Sequence, residues 1–473
     1  MKNLALALAA LPLCALAFPA LAQAADTAAL EAVATKALAA DDIAFAFTEG
    51  LTTEVGPRQA GTEAEARGRA WATAWLTANG FANVADEPFE MDTWVPGDIA
   101  RARVTGPFAQ DLVVLPLGDS AATPKGGVEA EVVFFPSFDD LRAAPDGSLK
   151  GKIAYISHQM RPAQDGSHYG FAGPVRWVGP GIAASKGAVA AVIKSVGTDY
   201  HRNPHTGGTD FPEGVKPIPA AALSLPDAEN LERMFARAGG RPVTLRLELN
   251  PRQLGKTISG NVVGEIVGRN PDLPPVLLAC HLDSWWNSPG VADNAAGCGI
   301  IAAAAKNVAE AGQPLRTIRV LFAGAEETGL WGSAAYSKAH IHETIAVGLE
   351  SDFGADRIWR FQSNFRDTNP DLHARLARSV ARFGVANSSL VAGGGADLNI
   401  VRDQKGALIN LQQDGTRYFD LHHTPDDTLD KIDIAQLRQN VAVWTTVVGI
   451  LANEERSILT GGFEPSGPAI MAE

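Results

Sequence analysis

PPVLLACHLDSWWNSPGVADNAAGCGI, residues 274–300, runs an apolar segment straight into a histidine and two aspartates. The segment VLLAC is short, continuous and preceded by two prolines, which reads as a strand covered on both faces. His281 and Asp283 follow at its carboxyl end. Asp293 stands where a helix of small residues, Asn294 to Ala311, begins. Working outward, NVVGEIVG and TIRVLFAGA read as neighbouring strands, IAVGLESD and GALINLQ as later ones. GLWGSAAYSKAH is a helix between them, and IDIAQLRQNVAVWTTVVGILANE is a long closing helix. Strands alternating with helices imply an α/β fold with a mixed, mostly parallel sheet carrying helices on both faces. Such sheets place ligands at the carboxyl ends of their strands.

Upstream the pattern differs. Residues 26–84 show apolar positions at helical spacing and stop near Gly80. From about Arg101 to Asn250 come short β-rich runs, DLVVLPL, AEVVFF, KIAYIS, AAVIKSV and VTLRLEL, with helical pieces between them. The expected division is a leader over 1–24, a first part of the main domain over 25–100, a β-rich insertion over 101–255, the main domain over 256–460, and a tail over 461–473.

The chain has 473 residues, 46% of them hydrophobic and 20% charged, enough for more than one core. A net charge of −13 argues against a nucleic-acid surface, which needs clustered Lys and Arg. The opening MKNLALALAALPLCALAFPALAQA has the basic, apolar and small-residue order of a secretory signal, with cleavage expected after Ala24. No later segment has the roughly 18 apolar residues that span a bilayer. The expectation is an exported protein, periplasmic or secreted. Cleavage leaves Cys280 and Cys298. A bridge between them is conceivable, but two unpaired buried thiols are the expectation, because spacing alone does not set their separation.

Four places put metal-binding side chains where a strand gives way to a loop: His281 and Asp283 with Asp293, then Glu326-Glu327, Asp352, and His423. Each has an ordinary reading alone. Asp293 could be a helix N-cap, a lone histidine a loop residue, and paired glutamates a solvated surface. Together they are different, because carboxylates are gathered in a buried place only when positive charge compensates them. Two histidines and three carboxylates suit a pair of divalent ions, and N/O ligation without cysteine suits zinc. A spare carboxylate beside the ions is the natural general base.

The motifs HLDSW, ADNAAG, AEETG, LESDFGA, GGGADLNI and HHTPDDT occur in that order, preceded by TEVGPRQAGTEAE, VVFFPSFDDLR, NPHTGGTDF and IPAAALS. In this combination the chain resembles the M28 family of metallopeptidases, in its carboxypeptidase Q-like branch, over nearly the whole mature length. The resemblance implies the zinc-exopeptidase fold with a protease-associated-type insertion over 101–255. It implies two Zn2+ ions, other divalent metals being possible. Asp293 would bridge them, His281 and Asp352 would complete one site, and Glu327 and His423 the other. Glu326 would be the general base, and Asp283 would orient the His281 imidazole. It also implies a cis peptide after Asp293.

Asn294 stands where close relatives carry an acid, and Trp286 in the Ser284-Trp285-Trp286 run is expected to reshape the rim of the cleft. His205 in NPHTGGTDF is a candidate substrate contact, the plainer reading being a turn residue. Asp397 in GGGADLN is expected to cap a helix and is a second candidate for the substrate pocket. His422 is expected to be structural rather than a ligand. The implied activity is exopeptidase action on short peptides with a free N-terminus, of the aminopeptidase or dipeptidase type. An inactive binding protein, or a cyclase or deacylase on the same fold, is the alternative. The implied assembly is a homodimer.

Overall fold

The computed structural model describes residues 27–462; the predicted leader and nearly all of the predicted tail lie outside them. Among the described residues there are sixteen strands: β1 Ala82–Val95, β2 Ala100–Gly106, β3 Gln110–Leu112, β4 Val114–Pro116, β5 Val128–Phe135, β6 Ile153–Ile156, β7 Ala190–Lys194 and β8 Ala220–Leu223 come first. They are followed by β9 Thr244–Leu249, β10 Arg252–Ile266, β11 Val276–His281, β12 Ile318–Ala323, β13 Val347–Glu350, β14 Ile358–Ser363, β15 Ala386–Asn387 and β16 Ala407–Gln413.

They form two eight-stranded sheets. The first has the order β1-β10-β12-β11-β13-β16-β14-β15. Its centre, β12-β11-β13-β16, is parallel, while β1, β10 and β14 add antiparallel edges. All of β11 is buried, as its unbroken apolar sequence requires. On one face lie the helices Thr27–Ala40, Ile43–Glu54, Ala296–Ala311 and Ile434–Ala452, around Phe47, Ile301, Trp444 and Val448. On the other face Tyr336, Leu398 and Val401 form a smaller core with Leu277 and Leu321.

The register of the central strands decides what meets at their ends. His281 is level with Ala323, and Ala279 with Glu350. The residues just past β11, β12 and β13 therefore emerge side by side.

The second sheet has the order β3-β2-β9-β5-β6-β7-β8-β4 and is built from residues 100–249. Its core strands β5 to β8 run parallel, and Tyr155, Val192 and Leu245 fill one face while Ile156, Ile193 and Ala222 fill the other. Among the described residues no helix is long and apolar enough to cross a membrane.

Some elements differ from expectation. The helical region ends with Glu63–Ala78, and the long strand β1 begins at Ala82. Its exposed positions carry Asp86, Glu90 and Asp92, which hide the alternation. Cys280 and Cys298 form a disulfide, correcting the expectation of free thiols. The helix starting at Ala296 packs back against β11, bringing the two Cα atoms to 5.3 Å. Closing a loop of 18 residues this way restricts the unfolded chain by about 3 kcal/mol. The double variant C280S/C298S is expected to lose about that much stability, read as a lower urea midpoint with a steeper m-value, because the unbridged denatured chain exposes more surface.

Candidate active site

The carboxyl ends of β11, β12 and β13 and the loop after β16 converge on one buried cluster. His281 ends β11. Its Nδ1–H donates to the carbonyl of Asp283 at 3.1 Å, which turns Nε2 toward Asp293 Oδ1 at 3.0 Å and Asp352 Oδ1 at 3.3 Å. His423 repeats the arrangement. Its Nδ1–H donates to the carbonyl of Thr206 at 3.0 Å, and Nε2 faces Glu327 Oε2 at 2.6 Å and Asp293 Oδ2 at 3.5 Å. Each ring thus aims a lone pair at carboxylate oxygens. Asp293 stands between the two rings, one oxygen to each.

Facing acceptors repel unless a cation lies between them. Buried oxygens of Asp293, Glu327 and Asp352 also have no hydrogen-bond partner. The titration behaviour carries the same message. Burial pushes Glu326 and Glu327 well above the usual carboxylate range, and their carboxylate neighbours add to it. Burial would lower His281, but Asp352, Asp283 and Asp293 override it and hold the ring well above its ordinary value, so that without an ion a proton on Nε2 takes the place a metal cation would fill. Burial pulls His423 down to about 3, so its ring is neutral and free to ligate. His281, Asp293 and Glu327 offer ligand atoms within 4.8 Å of one another, as do Asp293, His422 and His423. The donor set fits divalent ions of the N/O-preferring kind.

Backbone support is specific. Asp427 accepts from the N–H groups of Ala292 at 2.7 Å and Asp293 at 3.1 Å. The peptide after Asp293 is cis. Asp283 Oδ1 accepts from the Glu326 N–H at 3.2 Å, while its carboxylate lies 3.5 Å from His281 Nδ1. Arg58 is fully buried and donates to the carbonyls of Leu282, Pro289 and Gly290, clamping the loop between His281 and Asp293. Burial lowers Arg58 to about 10, and Asp283 and Asp427 oppose that.

Glu326, Glu327, Asp293 and Asp352 open into a cavity of about 610 Å³ whose other wall includes Asp119, Tyr169, Arg176 and Trp177 from the second sheet's side. Trp285 lines it and stacks on His423, whereas Trp286, expected at the rim, is not part of the lining.

Two candidates lie elsewhere. His205 is fully buried and does not line the cavity. Its Nδ1 bonds to the carbonyl of His422 at 2.7 Å and its Nε2 pairs with Asp199, so it ties loops together behind the site. Asp397 is also buried outside the lining and caps nothing. The N–H groups of Ala396 and Asp397 are taken instead by Glu350, each at 2.7 Å. His422 stacks on His423 with ring centres 3.7 Å apart, its Nε2 3.8 Å from Asp293 Oδ2. Sequence reasoning passed over Arg58 and Asp427. Both sit inside the quoted motifs GPRQAG and HHTPDDT, which was the available signal.

The family model for "Peptidase family M28" matches residues 261–448. Carboxypeptidase Q of Bos taurus is 31% identical over 415 residues, covering 86% of this chain and 85% of the relative. The chain belongs to peptidase family M28. Carboxypeptidase Q of Homo sapiens is 28% identical with the same coverage, 86% and 85%. The solved structure of a Peptidase M28 precursor from Shewanella amazonensis is 40% identical, with a TM-score of 0.87, covering 93% of this chain and 98% of that one. The Bacillus subtilis zinc aminopeptidase superposes with a TM-score of 0.61 at 21% identity over 89% of this chain and 97% of that one, which shares the fold. This M28 chain is a metallo-exopeptidase by membership.

Two variants test the support. Asp427→Ala orphans the Ala292 and Asp293 N–H groups and loosens Asp293, so metal affinity is expected to fall about 10- to 100-fold, measured by titration against a competing chelator. Gly297→Ala places a Cβ 2.1 Å from the Asn294 side chain and 2.2 Å from the Ser351 carbonyl. Ser351 adjoins Asp352, so the variant is expected to lose bound metal while keeping its far-ultraviolet dichroism.

Proposed function

We propose that the chain is an exported di-zinc exopeptidase that hydrolyses short peptides with a free N-terminus, in the aminopeptidase or dipeptidase manner. The observation that carries this is Asp293, placed with one oxygen toward His281 and the other toward His423. His281 and Asp352 would hold one zinc, Glu327 and His423 the other, and Asp293 both. Bound zinc lowers the pKa of water and polarises a peptide carbonyl.

The chain's own residues do the rest. Glu326 lines the cavity beside Glu327 and Asp352 and is not needed as a ligand. Burial raises it well above its ordinary range, which suits a group that accepts a proton from the attacking water and returns it to the leaving amine. Asp283 fixes Glu326 through its N–H and stands beside His281 Nδ1. The 101–255 insertion walls the cavity opposite the carboxylates and limits the length of peptide it admits. Export through the 1–24 leader rests on its basic, apolar and small-residue order, and a homodimeric assembly on the sequence resemblance; both belong to the same reading.

Glu326→Gln decides the mechanism. Dipeptide turnover is expected to fall about 10³-fold with two zinc ions per chain still bound by elemental analysis. Wild-type-like turnover would sink the assignment of the base, and one tightly held ion per chain would sink the paired-metal reading.

A further inference from the structure

The two histidines of the cluster are not held alike. His281 gives its Nδ1 proton to the carbonyl of Asp283, two residues along its own loop. His423 gives its proton to the carbonyl of Thr206, 217 residues away in the loop between β7 and β8 of the second sheet. Trp285 lies against the His423 ring with centres 5.3 Å apart and planes 13° apart, and His422 does so at 3.7 Å and 15°. Two rings so near and so parallel do not fit on one face, so the imidazole is sandwiched. The sandwich fixes its plane, and the Nδ1–H bond fixes its direction within that plane. Together they decide where Nε2 points.

Trp285 is itself placed by the insertion. It is 1% exposed, and its Nε1–H donates to the Thr206 hydroxyl. Its six-membered ring rests on Gly118, where a Cβ would stand 2.7 Å from it. Gly118 bridges to Gly208, two residues past Thr206. Trp94 lies nearly parallel to it, centres 6.5 Å apart, with its own Nε1–H on the Ser120 carbonyl at 3.0 Å. Thr206 is fully buried and turns every polar group to this task. Its carbonyl takes the His423 proton, its hydroxyl takes the Trp285 N–H, and its own N–H reaches the His423 carbonyl at 3.5 Å. That last carbonyl also accepts from Asn287 Nδ2 at 3.1 Å, which steadies His423 at its left-handed φ of 58°.

We propose that Trp285 is a positioning residue for His423, and that Thr206, acting through it, puts the half of the site built on His423 and Glu327 under the control of the insertion. The half built on His281 and Asp352 is supported from within the main domain. The proposal rests on the paired-metal reading above and makes the two ions unequal in what holds them. A ligand whose ring is free to turn binds more weakly, because the ion must then fix it. Loss of the indole, or of the hydroxyl that aims it, therefore loosens the ion at His423 and leaves the ion at His281 as it was.

The test titrates the full-length protein, freed of metal, with zinc against a competing chelator, so that each ion is read separately and no turnover is needed. Wild type is expected to take up two. Trp285→Leu is expected to weaken one of them about 10- to 100-fold and to leave the other unchanged. Trp285→Phe, which keeps a stacking ring but not the N–H, is expected to fall between. Thr206 supplies a gentler pair that decides the matter should Trp285→Leu not fold. Thr206→Val leaves Trp285 Nε1 without an acceptor and is expected to weaken the same ion about 10-fold, whereas Thr206→Ser restores the hydroxyl and is expected to match wild type. In a His423→Ala background Trp285→Leu is expected to add nothing, because its effect runs through that ring. Equal weakening of both ions, weakening of neither, an undiminished effect in H423A, or T206S as weak as T206V overturns the proposal. A single ion in wild type that W285L weakens sinks the paired-metal reading alone, and a single ion that W285L leaves untouched sinks both.

Discussion

Two imidazoles that have spent their Nδ1 protons on backbone carbonyls, and so must point bare Nε2 atoms at carboxylates, set the terms for the whole molecule. Such an arrangement is repulsive until a cation sits in it. Folding therefore has to hold acceptors together against their mutual repulsion. The disulfide from Cys280 to Cys298 is part of that holding, since it joins the residue before His281 to the helix that follows Asp293. Arg58 and Asp427 are the other part. One clamps the carbonyls of the connecting loop, and the other seizes the N–H groups that lead into Asp293.

The second sheet is more than a cover. The carbonyl that fixes the His423 tautomer belongs to Thr206, and the ring that holds the His422 carbonyl belongs to His205. Both come from the loop between β7 and β8. Trp285, in the loop after β11, bonds through Nε1 to the Thr206 hydroxyl and stacks on His423. The metal-binding face of the first sheet is thus completed by hydrogen bonds from the second. The cavity between the two is lined by acids from both, Asp119 and Asp210 coming from the second, and by Arg176.

Legibility followed burial. The parallel strands β11, β12, β13 and β16 were plain in the sequence because strands covered on both faces are continuously apolar. The strand-end acids and histidines were plain because their residue types are unusual beside such runs. β1 escaped because its outer face is acidic, and β14, IWRFQS, because it mixes polar and aromatic residues at a sheet edge. The Cys280–Cys298 bridge could not be read, since spacing says nothing of how a helix packs back on a strand. His205 and Asp397 were chosen for their chemistry, which a sequence shows, whereas the depth at which they lie is set by distant packing. Arg58 and Asp427 lie inside the quoted motifs, yet nothing beside them in the sequence shows their roles, for a related reason. Their partners are largely backbone groups, and a carbonyl 224 residues away leaves no mark beside an arginine.

Arginine rather than lysine at position 58 follows from the same geometry. The side chain must satisfy carbonyls at Leu282, Pro289 and Gly290 at once, in a place with no water to take up unused donors. An ammonium offers three donors on one atom and cannot reach across a loop, while a guanidinium spreads five over a plane. Burial lowers Arg58 only to about 10, so it stays charged at neutral pH, and Asp283, Asp427, Asp293 and Glu327 are the charges that keep it so. A lysine in that position starts from a lower pKa and would lose its proton more readily under the same burial. The loop carbonyls and the carboxylates that face Arg58 would then lose a permanent positive charge. The identity of that one buried residue therefore decides whether the ligands stand in place before any ion arrives.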